Sequence, residues 1–447
     1  MLQSETRAAL DRVLADAQRG FRTPWLIGGV TRGGELVHVA AAGGPGDAAA
    51  EATDPAQVAG RIGSITKTFT AVLVMRLRDE GGLALTDPLD RYVPGTRFGD
   101  RSLASLLMHR GGVQAEAGDP WWERVDGRDW ATLVHEVAAA PTAVVGEADR
   151  RFHYSNLGFA ALGRVVEVLR GSSWFDAVTR ELLQPLEMQR TSYHPVPPHT
   201  DGFAVHPYAD LLLPEPHTDT RAMAPAGQLW ASVGDLAVWS RVLLDGAGVL
   251  AGSSAAEMRD ALDGYGLGVA LSEGENTRSL VGHYGSMPGF QAGLLIDVET
   301  RDAAATLGNS TAGYGDATLA LLDVLDRLEP PARAAWQPVD ATIPADLLAC
   351  VGPWYWGPRA HVLRLVGTEV LDLAGVDGRD RAARFTRDAG GTWRGRNGYY
   401  TGEPLVLPAD GTDPSAVLRI GTFVFTRAPY ASAAVPGGVD PQGWRGR

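Results

Sequence analysis

The sequence predicts a protein of mixed α/β (α+β) class. It has an antiparallel sheet flanked by N- and C-terminal helices, a helical lobe inserted into that sheet, and a separate all-β barrel or sandwich after it. Three observations predict this. Amphipathic helical patterns at Met1–Phe21 and Asp316–Leu328 bracket strand-like runs near both ends of the first 330 residues. Helical periodicity broken by Pro and Gly fills the interval from Leu83 to about Pro198. After Pro330-Pro331, short strands recur at close spacing. The predicted division is residues 1–330, a linker at 331–338, and residues 339–447.

The first helix carries Leu10, Val13, Leu14 and Ala17 on one stripe. Trp25–Thr31 and Glu35–Ala41 flank Arg32-Gly33-Gly34 as a hairpin, and Gly43–Thr53 is a small-residue loop. Ile65–Glu80 is largely apolar and stops at Gly81-Gly82, so a helix opens at Ser64. Helices are expected at Ser102–His109, Asp129–Ala139, Leu157–Arg170 and Trp174–Leu183, and a surface loop at Pro195–Pro216. Ser232 and Asp235 form a capping box for a helix to Leu244. Tyr265–Leu271, Ser279–Tyr284, Gln291–Val298 and Ala303–Asn309 read as successive strands. Beyond the linker come Val362–Val366, Val370–Leu373, Ala383–Thr386, Thr392–Gly395, Leu405–Leu407, Ala416–Ile420 and Thr422–Arg427, about as many strands as a small barrel needs.

Composition narrows the function. The chain is 45% hydrophobic with a net charge of −13, which disfavours nucleic acid and anionic membranes as partners. Its one cysteine, Cys350, allows no intrachain disulfide. There is no apolar core of signal-peptide length at the start and no run long enough to span a membrane, so a cytoplasmic location is expected. Neither a metal nor a cofactor is implied: no H-E-x-x-H spacing occurs, and Ser64 lies in no G-x-S-x-G elbow.

One residue stands apart. Of 40 basic side chains, Lys67 alone is a lysine. A guanidinium stays charged at any ordinary pH, whereas a desolvated ammonium loses its proton. Lys67 follows Ser64 by three residues, on the same helical face and beside a helix N-terminus that favours an oxyanion. These are the parts of an activated nucleophile. Tyr154-Ser155-Asn156 precedes the predicted Leu157–Arg170 helix; a tyrosine relays a proton when nearby cations lower its pKa, and the Asn156 amide can bind a carbonyl. His283-Tyr284-Gly285-Ser286 ends a predicted strand, where Gly285 admits a ligand and the Ser286 N–H can join that of Ser64 as an oxyanion pair.

In this order, S-x-x-K, Y-x-N and a strand-borne triplet resemble the serine β-lactamase and penicillin-binding-protein superfamily, most of all its class C β-lactamase, D-peptidase and esterase branch. Leu106–Gly112, Pro185–Met188, Pro225–Trp230 and Tyr265–Gly268 agree. The resemblance implies a β-lactamase/transpeptidase-like fold, with Ser64 acylated, Lys67 and Tyr154 as the base system, Asn156 and Gly285 against the substrate, and His283 in the third motif. That motif usually begins with lysine; a histidine there looks more like esterases and D-aminopeptidases. The last strands, opened by Trp354-Tyr355-Trp356-Gly357, resemble a lipocalin-like barrel. Stand-alone thioesterases that cyclise nonribosomal peptides share this plan, which would bring Arg445 to the substrate. The expected function is a serine acyl hydrolase or acyltransferase on D-residue peptide, ester or thioester substrates, carrier-bound peptides among them. The alternatives are a peptide cyclase and a catalytically silent peptide-binding protein.

Overall fold

A computed structural model describes residues 2–44, 53–118, 122–260, 264–273, 278–330, 338–339, 341–376, 383–388 and 390–429. Packing divides the chain into two units, Met1–Ala332 and Arg333–Arg447.

The first unit is built on a six-stranded antiparallel sheet. Its order is Glu35–Gly43, Trp25–Arg32, Ala303–Gly308, Phe290–Asp297, Ser279–Met287 and Ala270–Glu273. Neighbouring residues of Trp25–Arg32 point to opposite faces, and both faces are covered. Leu26 and Val30 pack with Leu10, Leu14, Leu321 and Leu325 of the terminal helices Ser4–Phe21 and Ala317–Leu328. Ile27 joins the larger core on the other side, with Trp239 and Val242 of the Val233–Asp245 helix. Gly28 is fixed by this packing, since a Cβ there would lie 2.7 Å from Leu14 Cδ2.

In the chain, the helical lobe lies between the Glu35–Gly43 and Ala270–Glu273 strands of this sheet. Its centre is the Thr66–Asp79 helix, buried from Thr66 to Met75 with polar and apolar residues alike. Phe69 stacks flat on Trp239 at 3.7 Å, and the Trp239 indole N–H donates to Thr68 Oγ1 at 2.7 Å. Asn156–Arg170 packs beside it, its N-terminus capped by Ser155 Oγ accepting from the Gly158 N–H. Two helices expected to be uniform widen into π turns, Val134–Ala138 after Trp130–Leu133 and Thr179–Leu183 after Trp174–Val178. Among the described residues no helix is long and apolar enough to cross a membrane.

Two expectations are corrected. The strand expected at Tyr265–Leu271 covers only Ala270–Glu273. Gly264 and Gly268 take left-handed φ of +79° and +81°, and a Cβ at Gly268 would sit 2.3 Å from Ala71 Cβ, so this stretch turns against the Thr66–Asp79 helix. Pro195–Pro216, expected as a loop, contains a short hairpin of Phe203–Val205 and Leu212–Pro214. Most of the Gly43–Thr53 loop and of the 331–338 linker lies outside the described residues, as does Arg445.

In the second unit an unpredicted helix, Ala345–Cys350, leads into a closed eight-stranded antiparallel barrel. The first strand, Gly352–Trp356, closes on the last, Phe423–Thr426, through Tyr355 and Thr426. Trp354, Leu363, Leu371, Phe385, Leu418 and Phe425 fill the interior, so the barrel is lipocalin-like in strand number with a packed core.

Candidate active site

Ser64 stands in a 3-10 turn, Gly63–Ile65, that runs directly into the Thr66–Asp79 helix. Buried Ile62 and Ile65 fasten the turn on both sides. Gly63 has φ +50°, and a Cβ there would come within 2.5 Å of the Ser286 nitrogen. The close approach of the two backbones thus requires glycine.

Lys67, the second residue of the Thr66–Asp79 helix and one turn after Ser64, is fully buried. Its Nζ is 3.0 Å from Ser64 Oγ and donates to the Ala226 carbonyl at 2.7 Å. Burial lowers its pKa from 10.5 to about 7, against the opposing pull of the Glu116 carboxylate. An arginine could not lose its proton here.

Tyr154 is brought in by the segment before the Asn156–Arg170 helix. Its phenol shares a hydrogen bond with Ser64, and its ring lies 4.8 Å from Lys67 Nζ. Burial raises the phenol pKa well above its ordinary value, and the Ser64 hydrogen bond offsets this only in part. The condition set by the sequence reading, a phenol acidified by cations, is therefore not met: desolvation dominates and Tyr154 keeps its proton. Buried His109 packs on the same ring at 4.1 Å, with its Nδ1 accepting from the Ser155 N–H at 3.0 Å.

Asn156 Nδ2 donates to both oxygens of Glu116 at 2.9 Å. Glu116 is half-buried, and burial raises its pKa while Asn156 and Lys67 pull it down. Sequence reasoning missed this carboxylate. It belongs to no motif, and its partner is 40 residues away in the chain. The one available signal was its place just after Leu106–Gly112.

The third stretch lies on the Ser279–Met287 strand, three residues longer than expected. Its neighbour on one side, Ala270–Glu273, ends opposite Gly282, leaving 283–287 a bare edge toward Ser64. The tight Pro288-Gly289 turn pairs Met287 with Phe290 and Ser286 with Gln291. Ladder alternation then points the Ser286 N–H away from its partner strand, toward Gly63. Gly285 is required, because a Cβ would meet Ile62 O at 1.9 Å and Ser64 N at 2.9 Å. His283, placed among the catalytic residues by its motif position, lies on this strand with its ring 6.3 Å from that of Tyr154. Its Nε2 is 3.0 Å from the Tyr265 hydroxyl and its Nδ1 bonds the Tyr284 carbonyl. Burial, with Lys67 nearby, lowers its pKa to about 4, so the ring is neutral at neutral pH.

A serine, an amine able to lose its proton, a phenol and two backbone N–H groups thus converge at one turn. The Beta-lactamase family model matches residues 14–328. The chain belongs to this family. A model for a domain of unknown function (DUF7586) matches residues 343–427. Among curated relatives, "Penicillin-binding protein 4" of Amycolatopsis lactamdurans is 32% identical over 278 residues, 55% of this chain and 71% of that one. "Beta-lactamase-like protein 2" of Dictyostelium discoideum is 30% identical over 145 residues, 30% of this chain and only 26% of its own length.

Similar solved structures include a penicillin-binding protein homologue from Pyrococcus abyssi, at TM-score 0.64 and 20% identity over 94% of this chain and 99% of that one. SurE with D-Leu has TM-score 0.58 and 24% identity over 95% and 100%. D-amino acid amidase from Ochrobactrum anthropi SV3 complexed with D-phenylalanine has TM-score 0.63 and 20% identity over 72% and 99%. These likenesses establish the fold. By family, the chain is a serine hydrolase of the β-lactamase and penicillin-binding-protein type.

Proposed function

We propose that this β-lactamase-family protein hydrolyses amides or esters of D-configured amino acids and short peptides bearing a free amine, through an acyl-enzyme on Ser64. The observation that carries the reading is the buried Lys67 amine, 3.0 Å from Ser64 Oγ with a pKa of about 7. Neutral Lys67 takes the Ser64 proton as Oγ attacks the carbonyl carbon. The carbonyl oxygen becomes an oxyanion between the Ser64 and Ser286 N–H groups. As the tetrahedral intermediate collapses, the C–N or C–O bond breaks and the leaving group takes a proton from the neutral Tyr154 hydroxyl as that hydroxyl takes one from Lys67. Water, deprotonated by Lys67, then attacks the acyl carbonyl; the bond to Ser64 Oγ breaks, Oγ takes that proton back from Lys67, and the acid leaves.

The substrate class follows from charge. A lysine in the third motif would hold a substrate carboxylate, but neutral His283 offers no such charge. Glu116 supplies the opposite sign beside Asn156, where an ammonium group can bind. The likenesses to D-amino acid amidase and to SurE with D-Leu support D configuration. Cyclisation is a second reading: the same carboxylate can hold a peptide's own amine and take its proton as it attacks the acyl-enzyme, the reaction class in which Arg445 was expected to contact substrate.

Kinetics on D-phenylalanine amide and its N-acetyl derivative test the reading. The free amine should be preferred by about tenfold or more in kcat/KM, and Glu116→Gln should erase the preference. Equal rates on both substrates in the parent enzyme would remove Glu116 from substrate recognition. Absence of turnover together with an unmodified Ser64 would overturn the hydrolase itself.

A further inference from the structure

A cavity of about 400 Å³ lies in the helical lobe, lined by Ala224 and Pro225 but by none of Ser64, Lys67 or Tyr154. Its volume is in the range that holds a small ligand. The walls are aromatic, with Trp130, Phe175 and Tyr193 around small residues such as Ala160. Three charged residues line it. Arg164 and Glu167 neutralise each other at 2.9 Å. Arg221 remains, exposed and with no side-chain hydrogen bond or ion pair among the described residues.

Two carboxylates lie close to Arg221, and both are engaged elsewhere. Asp129 caps the Trp130–Leu133 helix through the Thr132 N–H. Asp219 accepts from the Tyr193 hydroxyl at 2.6 Å and from the Arg221 backbone N–H at 2.9 Å. The Arg221 guanidinium therefore keeps its donor fork for something else.

The backbone gives a separate observation. Arg221 has φ +47°, in the left-handed region where a side chain other than glycine costs about 1 kcal/mol. Glycine would fit this turn better, yet the chain places there the one unpaired cation lining the cavity. Strain of this kind persists where the side chain is used.

We infer that this cavity is an accessory binding site for a small aromatic carboxylate, its ring among Trp130, Phe175 and Tyr193 and its carboxylate on the Arg221 fork. The occupant would lie against backbone that supports the base. The Pro225 carbonyl accepts from Thr70 Oγ1 at 2.8 Å, and the next carbonyl, Ala226, from Lys67 Nζ at 2.7 Å.

The test is calorimetric titration of the full-length protein carrying Ser64→Ala, which needs no turnover and so stands apart from the catalytic reading. Indole-3-acetate should bind at one saturable site, and indole-3-acetamide at least about tenfold more weakly. Adding Arg221→Gly removes the guanidinium and suits the left-handed backbone, so the melting temperature should hold or rise while indole-3-acetate affinity falls about tenfold or more. Unchanged affinity in Arg221→Gly would place the probe elsewhere and overturn the proposal. So would the absence of saturable binding of indole-3-acetate up to about 10 mM, a weak ligand on the ordinary affinity scale.

Discussion

Lys67 is a costly side chain to bury, and the proposed chemistry depends on it. Its pKa is about 7 folded and 10.5 unfolded, so between these values the unfolded chain binds a proton that the folded chain lacks. Stability therefore rises with pH across that window, and below pH 7 the cost of burying the charge is fully felt. It is on the order of 5 kcal/mol. Lys67→Met should be more stable than the parent at pH 6 by about 2 kcal/mol, after allowing for the orphaned Ala226 carbonyl. The gap should shrink or reverse by pH 10. Urea denaturation at the two pH values checks this, and a pH-independent gap would mean that the amine is not desolvated. The pairing of Ser64 with Lys67 was legible in the sequence because three residues on a helix leave two side chains little freedom to avoid each other. Glu116 was not legible, because only tertiary packing brings it to Asn156. The neutrality of His283 was foreseeable, but its confinement by Tyr265 depends on a turn that had been taken for a strand.

At the scale of elements, the site is a seam between a helix N-terminus and a sheet edge. The seam closes only because Gly63 and Gly285 have no side chains. Gly285→Ala would push its strand off the Ser64 turn and spread the two N–H donors. The expected result is a loss of about 100-fold or more in acylation rate, comparable to removing an oxyanion donor. Circular dichroism should be unchanged, since the strand still pairs with Phe290–Asp297 on its other side. Rates within threefold of the parent would show that this edge does not hold the oxyanion. Strong periodicity made most helices and strands legible. The extra length of the Ser279–Met287 strand was hidden by Gly285 and Ser286, which look like a strand end and instead continue along a bare edge. The two π turns leave no trace in the residue pattern.

The whole molecule divides into a catalytic unit and a packed barrel. Every described residue at the site, from Gly63 to Ser286, comes from Met1–Ala332. A chain ending at Ala332 should therefore hydrolyse a small D-aminoacyl ester within about threefold of the full-length rate, as removal of an independent unit would. Loss on peptide substrates alone would assign the second unit to recognition, where Arg445 was expected to act; loss on the small ester would mean that the site is not self-contained. The two-part plan was legible from the change in strand spacing after Pro330-Pro331. The Ala345–Cys350 helix was not, being too short for a periodic signal.

The proposed chemistry depends on the Lys67 amine accepting the proton of Ser64, and the pre-steady-state acylation rate as a function of pH measures that step. With a D-aminoacyl p-nitrophenyl ester the rate should climb with pH through a midpoint near 7, where the buried ammonium releases its proton. In Lys67→Arg it should fall by about 100- to 10,000-fold at every pH. A flat profile, or an arginine variant that keeps a tenth of the parent rate, would contradict it.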